Sequence, residues 1–290
     1  GALLMTPAAS HATRSPRHVL DAALLLATGG ADYRAQTIDV DRRIRRSVPL
    51  SCRCLIVPTS AHCGSWTLAG HLAAVLTRTR QLQGLLLNAA PGDADALARP
   101  WPPPLQPPPP ATAKQARALV GVGPDGLLGR LQLPGWQENR PRAWDDARAR
   151  LFRFYDTIIT HAGYLGVEEL TRSARHVHAI VMVSRARRRD VERSRGQLNI
   201  VDRVLDQASG NLDYPRRARL LHAFVATDSS PVLIPRLGDT ETLIPHDSVL
   251  ARTSAVRTAT PGFLERRTGL AIAGLAAELI DSAASGGEKA

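Results

Sequence analysis

The chain has 290 residues, 44% hydrophobic and 22% charged, which excludes a fully disordered, a collagen-like or a small disulfide-stabilised protein. Its length allows one large or two small domains. Only 4% of the residues are aromatic, too few for a protein that works by stacking on bases or sugars. The formal net charge is +11, carried mostly by arginine, because the only lysines are Lys114 and Lys289. A mechanism that needs a lysine before residue 114 is therefore excluded.

The cysteine content and the hydropathy indicate a cytoplasmic protein. Three cysteines (Cys52, Cys54 and Cys63) are typical of a reducing compartment. Cys52 and Cys54 are one residue apart, which is not the spacing of zinc ligands, and we predict no metal site from them. The sequence contains no apolar run of about 20 residues, so we predict no transmembrane helix. Residues 1–4 are too short and uncharged for a signal peptide, and we take Met5 as the expected native start.

Helices and short apolar strands alternate along the sequence. We predict helices over residues 17–28 (ended by Gly29-Gly30), 67–79, 166–175, 190–207 and 269–283. We predict strands over residues 54–57, 84–87, 155–160, 179–183 and 219–226, with shorter ones at 232–235 and 241–244. Between them lie a basic lead-in at 39–46, a proline-rich linker or loop at 99–111, and a glycine-rich stretch from 116 that becomes helical near Trp144.

Strands that are apolar nearly throughout and that alternate with helices indicate parallel strands covered on both faces. We therefore predict an α/β fold, a mostly parallel sheet with helices on both faces. Residues 1–41 form an N-terminal extension with one helix. Residues 42–283 form a single domain with a proline-rich insertion at about 99–113, and residues 284–290 form a disordered tail.

The first strand, the loop over 58–65 and the following helix have the layout of an anion site. In such a sheet, ligands bind beyond the carboxyl ends of the strands, where backbone amides and a helix N-terminus face the ligand. We therefore expect a nucleotide, if one binds, at this loop.

Four motifs in order carry a resemblance to a known family. The loop over 60–67 reads S-A-H-C-G-S-W-T and is followed by L-A; the second strand ends L-N-A-A-P-G at 87–92. The third motif, over 155–163, reads Y-D-T-I-I-T-H-A-G, and P-H-D occupies 245–247 before a final helix with L-A-A-E-L. Residues 42–283 thereby resemble the deviant-Walker P-loop ATPases of the MinD/ParA type (SIMIBI class). Those proteins have K-G-G-x-G-K-T-T, D-A-D-P-G and Y-D-x-I-I-x-D-x-G at these places. The resemblance implies a P-loop NTPase-like fold.

The resemblance also assigns roles to positions that this chain fills differently. Ser60 and Ser65 stand where the family has its signature and phosphate-binding lysines, and Trp66 stands at the Mg²⁺-binding threonine. Asn88 and Ala90 replace the two aspartates of D-A-D, and His161 replaces the Walker-B-type aspartate. Gly64, Thr67 and Asp247 complete this degenerate nucleotide loop and keep the family's residue types.

Phosphoryl transfer depends on positioning and on cations that neutralise developing charge. Because the lysine, the magnesium hydroxyl and the acidic groups are all replaced, the departures predict a pseudo-ATPase. We expect no catalytic residues and no ATP or Mg²⁺ as a cofactor.

An alternative for the same residues is a transition-metal or Cys–His nucleophilic site. It would be built from His62, Cys63 and His161, with Asp93 or Asp95 approaching. We favour the simpler hypothesis that these side chains fill an obsolete nucleotide pocket. The chain has no G-x-S-x-G motif, so an α/β-hydrolase is not predicted.

Two basic stretches are candidate interaction surfaces. The first holds Arg185, Arg187, Arg188, Arg189, Arg193 and Arg195 beside Asp190 and Glu192, and the second holds Arg216, Arg217 and Arg219. They fit an acidic protein partner, non-specific contact with DNA phosphates, or a merely solvated surface. The last helix carries little basic charge, so we expect no membrane insertion through it.

The sequence thus favours a non-catalytic MinD/ParA-like scaffold or regulator, bacterial by resemblance, that acts through a protein partner. The family's roles suggest a secretion, conjugation or partitioning machinery. The alternatives are a ParA-like DNA-binding protein that uses the arginines, and a nucleotide binder without hydrolysis that uses loop amides and Asp247. A homodimer that forms without ATP would favour the scaffold, because the family's nucleotide sandwich dimer needs the missing signature lysine.

Overall fold

The computed structural model describes residues 30–90, 97–101, 108–123, 125–134, 140–210, 218–232, 234, 236–252 and 264–285. The chain divides into two compact units, residues 1–39 and residues 40–290. In the first unit the described part is the start of a helix, in which the Thr37 hydroxyl donates to the carbonyl of Tyr33 at 2.8 Å. The predicted helix over 17–28 and the predicted tail over 286–290 lie outside the described residues.

The described elements alternate between helices and strands. In chain order they are α1 (Gly30–Ile44), β1 (Cys52–Pro58), α2 (Ser65–Arg80), β2 (Gly84–Asn88), β3 (Arg99–Pro100), α3 (Ala113–Ala118), β4 (Gly121–Val122), β5 (Leu128–Gln132), α4 (Arg140–Leu151), β6 (Thr157–His161), α5 (Val167–Ala174), β7 (Ala179–Arg185), α6 (Arg188–Gly210), β8 (Arg219–Val225), β9 (Glu241–Ile244), α7 (Ser248–Arg252) and α8 (Arg266–Ser285). None of the described helices has both the length and the apolar composition that a membrane crossing requires.

The strands form one nine-stranded sheet in the order β3-β5-β2-β6-β1-β7-β8-β9, with β4 paired to β5 at its side. The β4 pairing is antiparallel and the others are parallel. The predicted fold class, a mostly parallel α/β sheet, is confirmed. The register places His161 opposite both Asn88 and Ile56, so the carboxyl ends of β2, β6 and β1 lie side by side.

Two hydrophobic cores lie on opposite faces of the sheet. Along β1, Cys54 and Ile56 belong to one core, with residues of α2 and α8, whereas Leu55 and Val57 belong to the other, with residues of α4, α5 and α6. Successive side chains of a strand point to opposite faces, so an apolar run such as 54–57 serves both cores. The predicted helices on both faces are therefore present.

Four segments differ from the predictions. The basic lead-in at 39–46 is mostly part of helix α1. Strand β5 lies within the glycine-rich stretch, where we predicted no strand. Its sequence, L-G-R-L-Q, has no apolar run that would indicate one. Pro100 sits in β3 at the edge of the sheet, where a missing N–H is tolerated. Val232 and Ile234 are not in a strand.

Two arginines of the lead-in, Arg43 and Arg46, are paired with the last helix. Arg43 contacts both Glu278 and Asp281 of α8, with its Nε 2.8 Å from Asp281 Oδ2. Arg46 approaches the other oxygen of Asp281 at 2.9 Å. This part of the positive charge therefore joins elements of the second unit rather than facing a partner.

Arg80 at the end of α2 joins three segments. Its guanidinium contacts Asp156 in bidentate fashion, with Nε–Oδ2 at 2.5 Å and Nη2–Oδ1 at 2.9 Å. Its Nη1 also donates to the carbonyl oxygens of Ile44 and Arg46. Only 5% of the Arg80 side chain is exposed, so these bonds form away from bulk water.

We predict that Arg80→Ala lowers the free energy of unfolding by about 3 kcal/mol, because it leaves a largely buried carboxylate and two carbonyls without their donor. Arg45→Ala is the matched control, since Arg45 pairs with Asp41 within one helix and is half-exposed. The control variant should lose no more than about 0.5 kcal/mol. Urea unfolding measures both values, and equal losses would contradict the structural role of Arg80.

Candidate nucleotide-loop site

The loop between β1 and α2 has the backbone of an anion-binding loop. His62 and Gly64 have positive φ angles of 53° and 79°, and Gly64 is the N-cap of α2 without a side-chain hydrogen bond to the helix. A Cβ at Gly64 would also approach Val225 Cγ1 to 3.3 Å, so glycine is favoured there on two counts. The first N–H groups of α2 have no acceptor within the helix and carry the positive end of its dipole.

Three residues at positions where the resemblance implies charged groups form a hydrogen-bonded chain. Ser65 Oγ lies 3.0 Å from His161 Nε2, and His161 Nδ1 lies 3.1 Å from Asn88 Oδ1. Exposure is 8% for Ser65, 2% for His161 and 1% for Asn88. We call this chain the Ser–His–Asn relay. The sequence predicted the three positions individually but not their bonding to one another.

Backbone contacts fix the direction of the relay. Gln132 Nε2 donates to the carbonyls of Asn88 and Leu133, so Gln132 Oε1 is the atom that accepts from Asn88 Nδ2 at 3.0 Å. Asn88 Oδ1 accepts from the amide of Ala90 at 3.1 Å and therefore also faces His161 as an acceptor. His161 Nδ1 must then carry a hydrogen, and in the neutral imidazole Nε2 accepts from the Ser65 hydroxyl.

The other replaced positions surround the relay. The Trp66 ring is tilted against the His161 ring, with centroids 5.4 Å apart, and is half-buried. Ala90 is buried, and its amide is part of the relay's support. Ser60 is half-buried and lies at the start of the loop. The Trp66 ring and the hydrogen bonds of the relay thus occupy the place where the resemblance implies a metal ion and charged groups.

A cavity of about 380 Å³ opens beside the start of α2. It is lined by His62, Gly64, Thr67, Leu68, Val225, Ala226, Thr227, Ile244, His246, Asp247, Leu250, Ala251 and Ile272. Asp247 is buried, and both its carboxylate oxygens accept backbone N–H bonds, Oδ1 from Val249 and Oδ2 from Glu265. The predicted role of Asp247 in holding a nucleotide therefore competes with its role in fixing the chain around α7.

The metal and Cys–His alternative finds no support in the geometry. His62 is exposed, whereas Cys63 is 1% exposed and packs into a hydrophobic core. Burial raises the pKa of the Cys63 thiol, although the Ser65 hydroxyl and loop N–H groups partly oppose this, so the thiol stays protonated and weakly reactive. Within the described ranges no three His, Cys, Asp or Glu side chains are grouped to hold a metal. Asp93 and Asp95 lie outside those ranges.

Most arginines of the first basic stretch are paired with carboxylates. Four ion pairs join Arg185 to Asp190, Arg187 to Asp228, Arg188 to Glu192 and Arg195 to Glu241. In the described part of the chain, Arg189 and Arg193 are exposed and form no ion pair. Arg219 pairs with Glu278, while Arg216 and Arg217 lie outside the described residues. The net positive charge of this surface is smaller than the sequence suggested.

A buried histidine, unnoticed in the sequence, lies beneath this surface. His222 on β8 is fully buried, and its Nε2 bonds the hydroxyls of Ser194 and Ser184. Its Nδ1 lies 3.9 Å from Glu241 Oε1, and Arg195 holds both oxygens of Glu241. Burial lowers the pKa of His222 to about 4, against the smaller opposing effect of Glu241.

Similarity to solved structures decides the fold. A ParA family ATPase from Chlorobium tepidum TLS superposes with a TM-score of 0.51 at 15% identity, covering 78% of this chain and 98% of that one. The chain has a ParA-type P-loop fold. A proposed plasmid partition protein from Borrelia burgdorferi B31 bound to AMPPNP follows at TM-score 0.46, 13% identity and coverage of 71% and 89%. A nucleotide-binding protein from Archaeoglobus fulgidus in complex with ADP has a TM-score of 0.38 at 17% identity, covering 78% of this chain and 94% of that one.

Neither a protein-family model nor a curated protein sequence matches this chain. The ParA-type fold nevertheless explains where the relay lies, since β1, β2 and β6 bring their carboxyl ends together at the loop. In this fold the relay occupies the ligand edge of the sheet.

The buried histidine generates a prediction about pH. Because burial lowers the pKa of His222 to about 4 from the ordinary histidine value of 6.5, the unfolded chain binds more protons between these values. Stability should therefore fall as pH drops from 6.5 towards 4. From pH 6.5 to pH 5, His222 should account for a loss of about 1.5 kcal/mol.

We predict that His222→Gln removes this part of the pH dependence of the unfolding free energy, as measured by urea unfolding across that range. His71 in α2, where burial also lowers the pKa to about 4, keeps its own contribution in the variant. If the unfolding free energy of His222→Gln depends on pH as steeply as that of the unmodified chain, the role given to His222 is contradicted.

Proposed function

We propose that this protein is a ParA-like scaffold or regulator that does not hydrolyse ATP and does not bind Mg²⁺·ATP. The observation that carries the proposal is the Ser–His–Asn relay. It occupies, with buried side chains that include no lysine and no carboxylate, the positions where the resemblance implies a phosphate-binding lysine and two magnesium- or water-positioning carboxylates.

Charge supports the proposal. A triphosphate carries several negative charges, and its transfer requires cations to neutralise charge in the transition state. Ser65 supplies a short hydroxyl that is already bonded to His161, and Trp66 offers no oxygen ligand to a metal. Asp247 keeps the family's residue type, but both its carboxylate oxygens already accept backbone N–H bonds.

Without a nucleotide switch, the protein would act through contacts that do not depend on ATP. The fold is used by proteins named for partition, and we propose a protein partner within a partitioning, secretion or conjugation assembly. A homodimer of the chain would then form equally with and without nucleotide. A cytoplasmic, bacterial setting is part of the same proposal.

We predict that calorimetric titration with ATP, ADP and GTP detects no binding at millimolar nucleotide, with or without Mg²⁺. Ser65→Lys alone should not restore binding, because Trp66 still fills the metal position and His161 brings no carboxylate. The quadruple variant Ser65→Lys/Trp66→Thr/Asn88→Asp/His161→Asp is the matched gain-of-function control. Binding of Mg²⁺·ATP by the unmodified chain would contradict the proposal.

The DNA-binding alternative is tested separately. In the described residues, the exposed arginines of the first basic stretch without an ion pair are Arg189 and Arg193, so the scaffold proposal predicts no shift of random duplex DNA even at low salt. A salt-sensitive shift that is lost in Arg189→Ala/Arg193→Ala would favour DNA binding instead. Arg172→Ala/Arg175→Ala, which removes two exposed arginines around α5, is the control.

A further inference from the structure

The Ser–His–Asn relay has the geometry of a nucleophilic triad. A serine nucleophile needs a base within hydrogen-bond reach, and the base needs a third group that orients it. Ser65 Oγ lies 3.0 Å from His161 Nε2, and His161 Nδ1 lies 3.1 Å from Asn88 Oδ1. Both distances are within the range that such a chain requires.

The direction of the hydrogen bonds is the one that activates serine. A triad works only when the nitrogen facing the serine is unprotonated, and a wrongly oriented amide would reverse the tautomer. Asn88 cannot turn without losing its bonds to Ala90 and Gln132. His161 Nε2 is therefore held as the acceptor of the Ser65 proton.

The position of Ser65 supplies a place for an oxyanion. It is the first residue of α2, directly after the left-handed Gly64, and no side chain caps this helix end. The N–H groups of the first turn lack acceptors within the helix, and the helix dipole favours negative charge there. Such preorganised donors stabilise the oxyanion of a tetrahedral intermediate.

A cavity for a small substrate begins at the same helix end. Gly64 and Thr67 line the cavity of about 380 Å³, a size typical of sites for small molecules, whereas Ser65 and His161 are not part of its lining. Its deeper wall is mainly apolar, with Val225, Ile244, Leu250 and Ile272. Asp247 disfavours an anionic group there. An uncharged ester with a short apolar chain fits these walls.

We propose that Ser65, His161 and Asn88 form a site for acyl transfer from small uncharged esters, an activity beyond the proposed scaffold role. Ser65 Oγ attacks the carbonyl carbon while its proton passes to His161 Nε2. The oxyanion accepts N–H bonds from the first turn of α2 and then collapses, and the leaving alcohol takes the proton from His161. Water attacks the acyl-Ser65, His161 accepts its proton, and Ser65 Oγ leaves with that proton as the acid is released.

Trp66 controls access to the site. Its half-buried ring lies against His161, and Ser65 is only 8% exposed, so a substrate must displace this ring to reach the hydroxyl. Removing the ring by Trp66→Ala should therefore speed the acylation of Ser65 without changing the relay's hydrogen bonds.

The test uses the full chain and a fluorophosphonate probe, which phosphonylates activated serines, with intact-mass and peptide mass spectrometry. The expected result is one adduct on Ser65 in the unmodified chain or in Trp66→Ala. In either background the adduct should be absent in Ser65→Ala and formed at least about 100-fold more slowly in His161→Gln. No adduct on Ser65 in either background, or the same rate with His161→Gln, would overturn the proposal.

Two further variants separate activation from mere exposure. Asn88→Asp places a carboxylate beside the His161 imidazole and stabilises the protonated form of that ring. The variant should therefore form the Ser65 adduct faster, and the pH dependence of this rate should shift to higher pH. If His161→Gln does not fold, the pH dependence of adduct formation in Asn88→Asp tests the proposal instead. A pH dependence unchanged from the unmodified chain would overturn it. Ser194→Ala is the matched control, since Ser194 is a buried serine bonded to a different histidine, His222, and it should leave the Ser65 adduct unchanged.

Discussion

The structure of the loop edge depends on one hydrogen bond, from His161 Nδ1 to Asn88 Oδ1. It joins the last residues of two neighbouring strands, β6 and β2, and its acceptor is itself fixed by the amide of Ala90. Through His161 the bond reaches Ser65 at the start of α2, and through Asn88 it reaches Gln132 on β5. Four segments of the sheet edge are thus held by neutral groups where the resemblance implies phosphate and metal.

This bond also explains why the two proposed properties are compatible. Replacing charged ligands by a directed chain of neutral donors and acceptors removes the electrostatic basis of phosphoryl transfer. The same chain leaves a serine hydroxyl beside a histidine nitrogen at a helix N-terminus, which is the requirement of a different chemistry. The two proposals, loss of ATP hydrolysis and gain of acyl transfer, therefore depend on the same three side chains.

Much of the fold could be predicted from sequence because β1, β2, β6, β7 and β8 each contain a short apolar run and are buried along nearly their whole length. Strand β5 could not, because Gly129 and Arg130 interrupt its hydrophobic pattern and the strand depends on pairing with β2. The replaced positions of the site could be read from motif order. Their mutual bonding could not, because Ser65, Asn88 and His161 meet only through strand register. The ion pairs that reduce the arginine surface involve Asp228 and Glu241, which are distant in sequence.

The most direct test of the central claim is a long-range ¹H–¹⁵N spectrum of the histidine side chains, with His161 assigned by comparison with His161→Gln. The relay predicts a neutral imidazole with its hydrogen on Nδ1, and signals that do not move when millimolar Mg²⁺·ATP is added. A hydrogen on Nε2, or a shift of the His161 signals on adding Mg²⁺·ATP, would contradict the account.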